Sequence, residues 1–481
     1  MPELLLAEVA ERVANATWGF VPARDIKPVH LANGMFRALA GPIEPDLALL
    51  KKVVATMRGK TQKSSTEIIE IADFRAASEL PLSTAVAEGA VTQLRKALDV
   101  VLNQDGAFYE GSTSTPTLSH WHHLTKDPSD QRAGHLLAHV LLGAPERAAA
   151  LAIRGALSKN DDAVYRLTAP LLGNQEDELP AFPAPDSDIQ QKAQESCVLK
   201  NLQESFTTLA EYEPYLDKTA LLQRTVTLAG FGLLLHLFNG NSDTCQPLLL
   251  CASDHPMAVR EASRHTLALA RRRLRSVFGD SLRQELIQRG DHKLSEEEYR
   301  DWASTWLPAE SFTADQIQRY ALEYEQELLA GETHFEAAVR ALTGPAMAII
   351  GRTKSGQDSV TPEGCSKHLG RRIGLQWPRK HGRGERYLMP VGAVYDALVT
   401  SLLHHKEVIQ AEVFWELAYK RFGLICGALP EVDGERLARL GIRNVTSAQL
   451  AANARGIIED LTRLGYARTY ADDVTLISAM W

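Results

Sequence analysis

The sequence predicts a mainly α fold, a multi-helix body followed by a small C-terminal unit of helices and one β-hairpin. Three observations predict it. Apolar residues recur at helical spacing through most of the chain, as in Leu47, Leu50, Val53 and Val54. Helix-start signals are frequent: Ser295 with Glu298, and Thr313 with Gln316, each form a Ser/Thr-x-x-Glu/Gln box. Alternation of period two is confined to short runs, at Ile373, Leu375 and Trp377 and at residues 466–470 and 474–478.

Composition sets the outer bounds. At 481 residues, with 45% hydrophobic and 23% charged residues, the chain has the make-up of a soluble globular protein of two to four domains. Five scattered cysteines without a CxxC pair predict reduced thiols and a cytoplasmic location. The N-terminal stretch carries acids inside its apolar run and has no basic leader, so no signal peptide is expected. The longest apolar run, Thr225 to Phe238, spans 14 residues, too few to cross a bilayer. It reads as a buried core helix.

Taken in order, Leu4 to Ala14 is an amphipathic helix and Pro45 to Met57 another. The loop 59–65 (GKTQKSS) shares the Gly-Lys-Thr tripeptide of phosphate-binding loops, but Val54 stands where that motif has its first glycine. Residues 103–130 read as a loop and hold His120, His122 and His123. Gln131 to Leu172 is a helix pair broken at Gly143-Ala-Pro145. Residues 173–188, with three prolines and an acidic bias, form a linker. Beyond it, Ile189 to Tyr212 is one long helix, Gln246 to Cys251 a short apolar segment, and 256–278 a helix with Pro256 in its first turn. These signals divide the chain into a helical domain (1–172), the linker (173–188), a second helical domain (189–350), a basic Gly-rich segment (351–390) and a C-terminal domain (391–481).

That last stretch has its own order of elements. Residues 391–405 form a helix, and Ala411 to Arg421 a second. After an insertion (Gly427 to Asn444), Thr446 or Ser447 caps a third helix reaching about Leu464, with Leu450, Ala454, Ile457, Ile458 and Leu461 inward. Gly465 ends it, and the runs 466–470 and 474–478 make a two-stranded wing. This is the arrangement of a winged helix-turn-helix.

Charge points to a polyanion. The net charge is −8, yet residues 352–386 hold nine Lys/Arg against three acids, and residues 260–275 hold six Arg against one Glu. Basic patches on an acidic chain call for local anion contact. Arg371, Arg372, Arg379, Lys380, Arg383 and Arg386 are the candidates for DNA phosphates, with Asn453 and Arg455 at the groove. Successive residues turn by 100°, which puts Arg260, Arg264, Arg271 and Arg275 in a stripe roughly 60° wide, suited either to a phosphate backbone or to the acidic helices near Glu296–Glu298 or Glu323–Glu327. Asp472 and Asp473 on the wing would repel phosphate, and a winged helix docking protein instead stays open.

Two enzyme readings stand beside this one. Arg260 and His265 form an Arg-x4-His arrangement that resembles the RNase motif of the HEPN helical-bundle family, although Glu261 follows the arginine where that family has Asn, Asp or His. His135 and His139, at i and i+4 on one helical face, with His122 nearby, could be metal ligands; alternatively the histidines pack around Trp121.

The final segment (LGYARTYADDVTLISAM) resembles the helix-then-wing ending of many bacterial winged-helix domains. The stretch LGRRIGLQWPRKHGRGERYLMPVGAVYDALVTSLL with FWELAYKRFGLICG is similar to the C-terminal part of subunits encoded beside ATPases in prokaryotic antiviral-defence clusters. The resemblance implies a non-catalytic DNA-binding or scaffold subunit working with an ATPase or nuclease on another chain. No cofactor and no membrane contact are expected.

Overall fold

A computed structural model describes residues 3–22, 26–42, 115–125, 130–169, 172, 178–307, 312–350, 361–378, 385–472 and 474–480. The phosphate-loop-like stretch 59–65, the proposed helix Pro45 to Met57, and Arg379, Lys380, Arg383 and Asp473 lie outside them. The fold is mainly α. In chain order the helices are α1 (Glu3–Trp18), α2 (Pro28–Ala40), α3 (Thr115–Ser119), α4 (Ala133–Leu142), α5 (Ala148–Leu157), α6 (Ala163–Thr168), α7 (Ser187–Glu195), α8 (Cys197–Ala210), α9 (Lys218–Asn239), α10 (Met257–Arg289), α11 (Glu296–Trp306), α12 (Ala314–Leu329), α13 (His334–Ile349), α14 (Pro362–Arg372), α15 (Gly392–Leu402), α16 (Ala411–Phe422), α17 (Pro430–Arg439) and α18 (Ser447–Arg463). The strands are β1 (Leu248–Leu249), β2 (Gln376–Trp377), β3 (Tyr387–Leu388), β4 (Val408–Gln410), β5 (Leu424–Ile425), β6 (Ala467–Thr469) and β7 (Thr475–Ser478).

Helix α9 is the centre. The apolar run foreseen as 14 residues is the inner part of a 22-residue helix, capped by Asp217, whose carboxylate accepts from Ala220 N–H. It is buried nearly all round because α2, α3, α5, α8, α10, α14 and α15 pack against it. A helix so enclosed must be apolar on every face, which explains its composition. Its one imidazole, His236, is fully buried: Nε2 meets the Trp18 carbonyl at 3.0 Å and Nδ1 lies 3.3 Å from Ser196 Oγ.

Ser196 also corrects an expectation. The segment read as one helix from Ile189 to Tyr212 is two, α7 and α8, because Ser196 is extended and caps α8 while its hydroxyl donates to Gly240 O at 3.0 Å. The capping residues elsewhere behave as their local sequence requires. Ser295/Glu298, Thr313/Gln316 and Thr446/Gln449 all form reciprocal boxes.

The proline-rich stretch before α7 is not loose where it is described. Arg154 donates to the Pro180 carbonyl at 2.5 Å and lies 4.3 Å over the Phe182 ring. One buried apolar cluster runs from Leu6 to Ile477 and so passes through each boundary suggested by composition.

At the C-terminal end, β4, β7 and β6 form an antiparallel sheet in that order, with Ile409 and Ala467 both opposite Ile477. Between α16 and α18 lie β5 and, within the expected insertion Gly427 to Asn444, α17. Strand β5 leaves this unit to pair in parallel with β1, Leu424 opposite Leu248 and Ile425 opposite Leu249.

Candidate nucleic-acid interface

The site is built on a small ladder that no single stretch of sequence announces. β2 and β3 make a short antiparallel hairpin, with Gln376 opposite Leu388. Leu388 bridges onward to Leu250, and Cys251 N–H donates to Leu388 O at 2.8 Å. The chain from Leu248 to Cys251 therefore lies between β5 and the hairpin. Helix α10 covers this ladder, and two hydroxyls on its inner face satisfy backbone groups that would otherwise be stranded. Ser263 Oγ donates to Leu249 O at 2.7 Å and accepts from Leu388 N–H at 3.0 Å; Thr266 Oγ1 accepts from Leu249 N–H at 3.2 Å. Sequence reasoning missed Ser263 and Thr266. Two hydroxyls among apolar positions of an amphipathic helix were the available signal.

This packing brings together two basic segments more than a hundred residues apart in sequence. Arg260, Arg264 and Arg271 sit on the shoulder of α10 and are half-buried, not on a freely solvated face. The Arg260 guanidinium carbon lies 6.0 Å over the Tyr387 ring, so this arginine faces the hairpin. Arg264 pairs with its own helix's Glu261 at 2.6 Å. Burial pulls the Arg271 guanidinium below its ordinary value, against the attraction of Glu363 and Glu385 and with repulsion from Arg386 adding to it. Among the described residues, Arg271 Nε and Nη2 and the Nε atoms of Arg260 and Arg264 are buried with no acceptor. Glu261, Glu363 and Glu385 are the carboxylates that act on this cluster.

The fourth member of the predicted row parts company. Arg275 is exposed and faces Glu323 at 3.8 Å, the acidic-helix alternative raised by the sequence. Of the hairpin arginines, Arg386 closes the turn by donating to the Pro378 carbonyl at 2.6 Å. Arg371 and Arg372 end α14, where positive charge complements the exposed carbonyls of a helix terminus.

The long C-terminal helix α18 is arranged differently from expectation. Asn453, expected at a groove, is fully buried. Its amide donates to Leu250 O and Cys426 O, each at 2.8 Å, and its oxygen accepts from Ala252 N–H at 2.9 Å. It is a clamp between α18 and the ladder, placed there because three backbone groups converge at that point. Gly456 lets the helix approach: a Cβ there would lie 2.6 Å from that of Ala252. Arg455 is exposed. Arg463 is occupied by Asp460 at 2.9 Å and Glu459 at 3.4 Å. Asp472 stands on the turn between β6 and β7.

In the first enzyme reading, Arg260 and His265 stand about 140° apart around an unbroken helix, at 100° per residue, and His265 is exposed. His122 rests against the Trp121 indole with ring centroids 3.8 Å apart, beside His120, and does not join His135 and His139. Burial, with repulsion from His122, His123 and Lys218, lowers the His120 pKa to about 3. His135 and His139 do share a face, centroids 4.2 Å apart, and lie by Asp186, whose backbone N–H donates to His139 Nδ1 at 2.9 Å. Among the described residues, no three His, Cys, Asp or Glu side chains converge as metal ligands.

No protein-family model matches the chain, and no curated protein matches it.

Proposed function

We propose that this chain is a non-catalytic subunit that holds duplex DNA by its phosphates, inside an assembly whose ATPase or nuclease step belongs to another chain. The observation that carries the reading is the row Arg260, Arg264 and Arg271 along one side of α10, with the Arg260 guanidinium over the hairpin's Tyr387 and Arg386 acting on Arg271. These arginines are only half-buried, and their accessible nitrogens could donate to phosphate oxygens. We read residues 392–478 as a winged helix. Its elements follow the order helix, strand, helix, helix, strand, strand, its sheet order is β4-β7-β6, and α17 is an insertion before the third helix. With Asn453 inside the protein and Arg463 engaged by carboxylates, α18 keeps little for reading bases. The grip is therefore one of backbone charge, insensitive to sequence. The partner class comes from the sequence resemblance to subunits encoded beside ATPases in defence clusters.

The test is a gel-shift titration on two unrelated duplexes at two ionic strengths. Equal affinity for both duplexes and a steep fall with salt are expected. Changing Arg260 and Arg271 together to Glu should lower the slope of log K against log salt, by about 0.9 for each phosphate no longer neutralised. Binding that ignores salt, or a variant with the parental slope, would overturn the reading.

A further inference from the structure

We propose that Cys197 and Cys245 form an oxidisable dithiol, a modification site at which a hydroperoxide closes a disulfide between the start of α8 and the segment leading into β1. The two sulfurs are 3.2 Å apart, and a small side-chain rotation brings them to the roughly 2.05 Å of a disulfide. Their backbones are already tied, since Cys197 N–H donates to Ser242 O at 3.1 Å. Both are partly exposed, whereas Cys251, Cys365 and Cys426 are buried.

The environment assigns the two sulfurs different roles. Cys197 is the first residue of α8, where the helix dipole and the Val198 backbone N–H favour a thiolate. The Cys245 hydrogen bond lowers its pKa further, burial opposes this, and the Arg273 charge assists. Arg273 is held in place by Thr244 O at 2.9 Å and by Ser242 Oγ. The Cys245 thiol is pushed up, first by its bond to Cys197 and then by burial, so it remains the proton donor. The chemistry balances with a hydroperoxide as oxidant. Cys197 thiolate attacks one peroxide oxygen, the O–O bond breaks, and the leaving oxygen takes a proton to become water or an alcohol. Cys245 sulfur then attacks the Cys197 sulfenic acid, expelling its oxygen as a second water and losing its own proton. Two thiols are oxidised by two electrons and one peroxide is reduced.

The bond would act at a junction. Cys245 Sγ lies 3.6 Å from Arg421 O, Asn201 donates to the same carbonyl at 2.6 Å, and the chain continues into the β1–β5 pairing. Oxidation would fix covalently the corner where the body meets the end of α16.

The experiment uses the full-length protein, reduced and freed of reductant, exposed to equimolar hydrogen peroxide. Its intact mass should fall by about 2 Da, with one cross-linked Cys197–Cys245 peptide that dithiothreitol reverses. Cys245→Ser should instead trap a sulfenic acid on Cys197 that reacts with dimedone. Added oxygen without a cross-link in the parent protein, first reaction at Cys251, Cys365 or Cys426, or a cross-link formed equally fast in urea would each overturn the assignment.

Discussion

At the scale of single residues, His236 shows how one buried titratable group sets a pH dependence. Burial lowers its pKa from 6.5 to about 4, against the attraction of the Trp18 and Gly240 carbonyls, which accept from the ring and favour the proton. In the folded protein the ring therefore stays neutral at pH values where the unfolded chain has already taken up a proton. Stability is full above the unfolded value of 6.5 and is lost as the pH falls from there toward about 4. The whole span corresponds to roughly 3 kcal/mol. Urea midpoints compared at neutral pH and at about pH 5 should show a loss on the order of 2 kcal/mol from this group. His120 adds a loss of the same sign, since its pKa is also depressed. His236→Gln should start less stable, having lost fitted hydrogen bonds, and should show a shallower acid dependence. A variant as acid-sensitive as the parent would show that His236 does not carry the effect.

At the scale of elements, the seating of α18 decides what its residues can do. Asn453→Ala would leave the Leu250 and Cys426 carbonyls and the Ala252 N–H unpaired in a dry site, a cost on the order of 3 kcal/mol. Chemical denaturation should register that loss, while the salt dependence of DNA binding by the remaining folded protein should not change. A normally stable variant with weakened binding would return Asn453 to the surface. The same helix shows where sequence is legible. Its start at Thr446, its inward row of Leu450, Ala454, Ile457 and Leu461, and the strands after it follow from signals within a few residues of each other. Asn453 lies only about 60° from Leu450 on the wheel, so local spacing leaves it on the flank; the Leu250 carbonyl and Ala252 N–H, 203 and 201 residues away, pull it inside. Ser196 broke a helix for the same kind of reason, its partner Gly240 being 44 residues on. The basic cluster was legible as two charged segments. That they form one site depended on Ser263 and Leu388, 125 residues apart, and no periodicity encodes such a pairing.

At the scale of the molecule, the C-terminal unit and the body share their interior. Strand β5 finds its partner in β1, Phe231 packs edge-on against Phe422 with centroids 5.2 Å apart, and the Tyr212 hydroxyl donates to Leu403 O at 2.9 Å. Arg224 reaches the Tyr466 hydroxyl at 3.2 Å, and Arg421 meets Glu204 at 3.3 Å. Removing the unit would uncover Leu248, Leu250 and Phe231 at once, an apolar loss comparable to a typical net stability. Residues 391–481 produced alone should therefore lack the dispersed proton spectrum of a folded domain, and a chain ending at residue 390 should aggregate. In the whole protein, tryptophan fluorescence, which includes Trp415 of α16, and far-ultraviolet circular dichroism should trace one coincident unfolding transition. Two separated transitions, or a well-folded 391–481 fragment, would mean that the shared interior is dispensable. If the transitions coincide, force or binding applied at the β4-β7-β6 sheet reaches α9 and α10 through packed side chains. The proposed role, holding DNA while another chain does work on it, would need that rigidity.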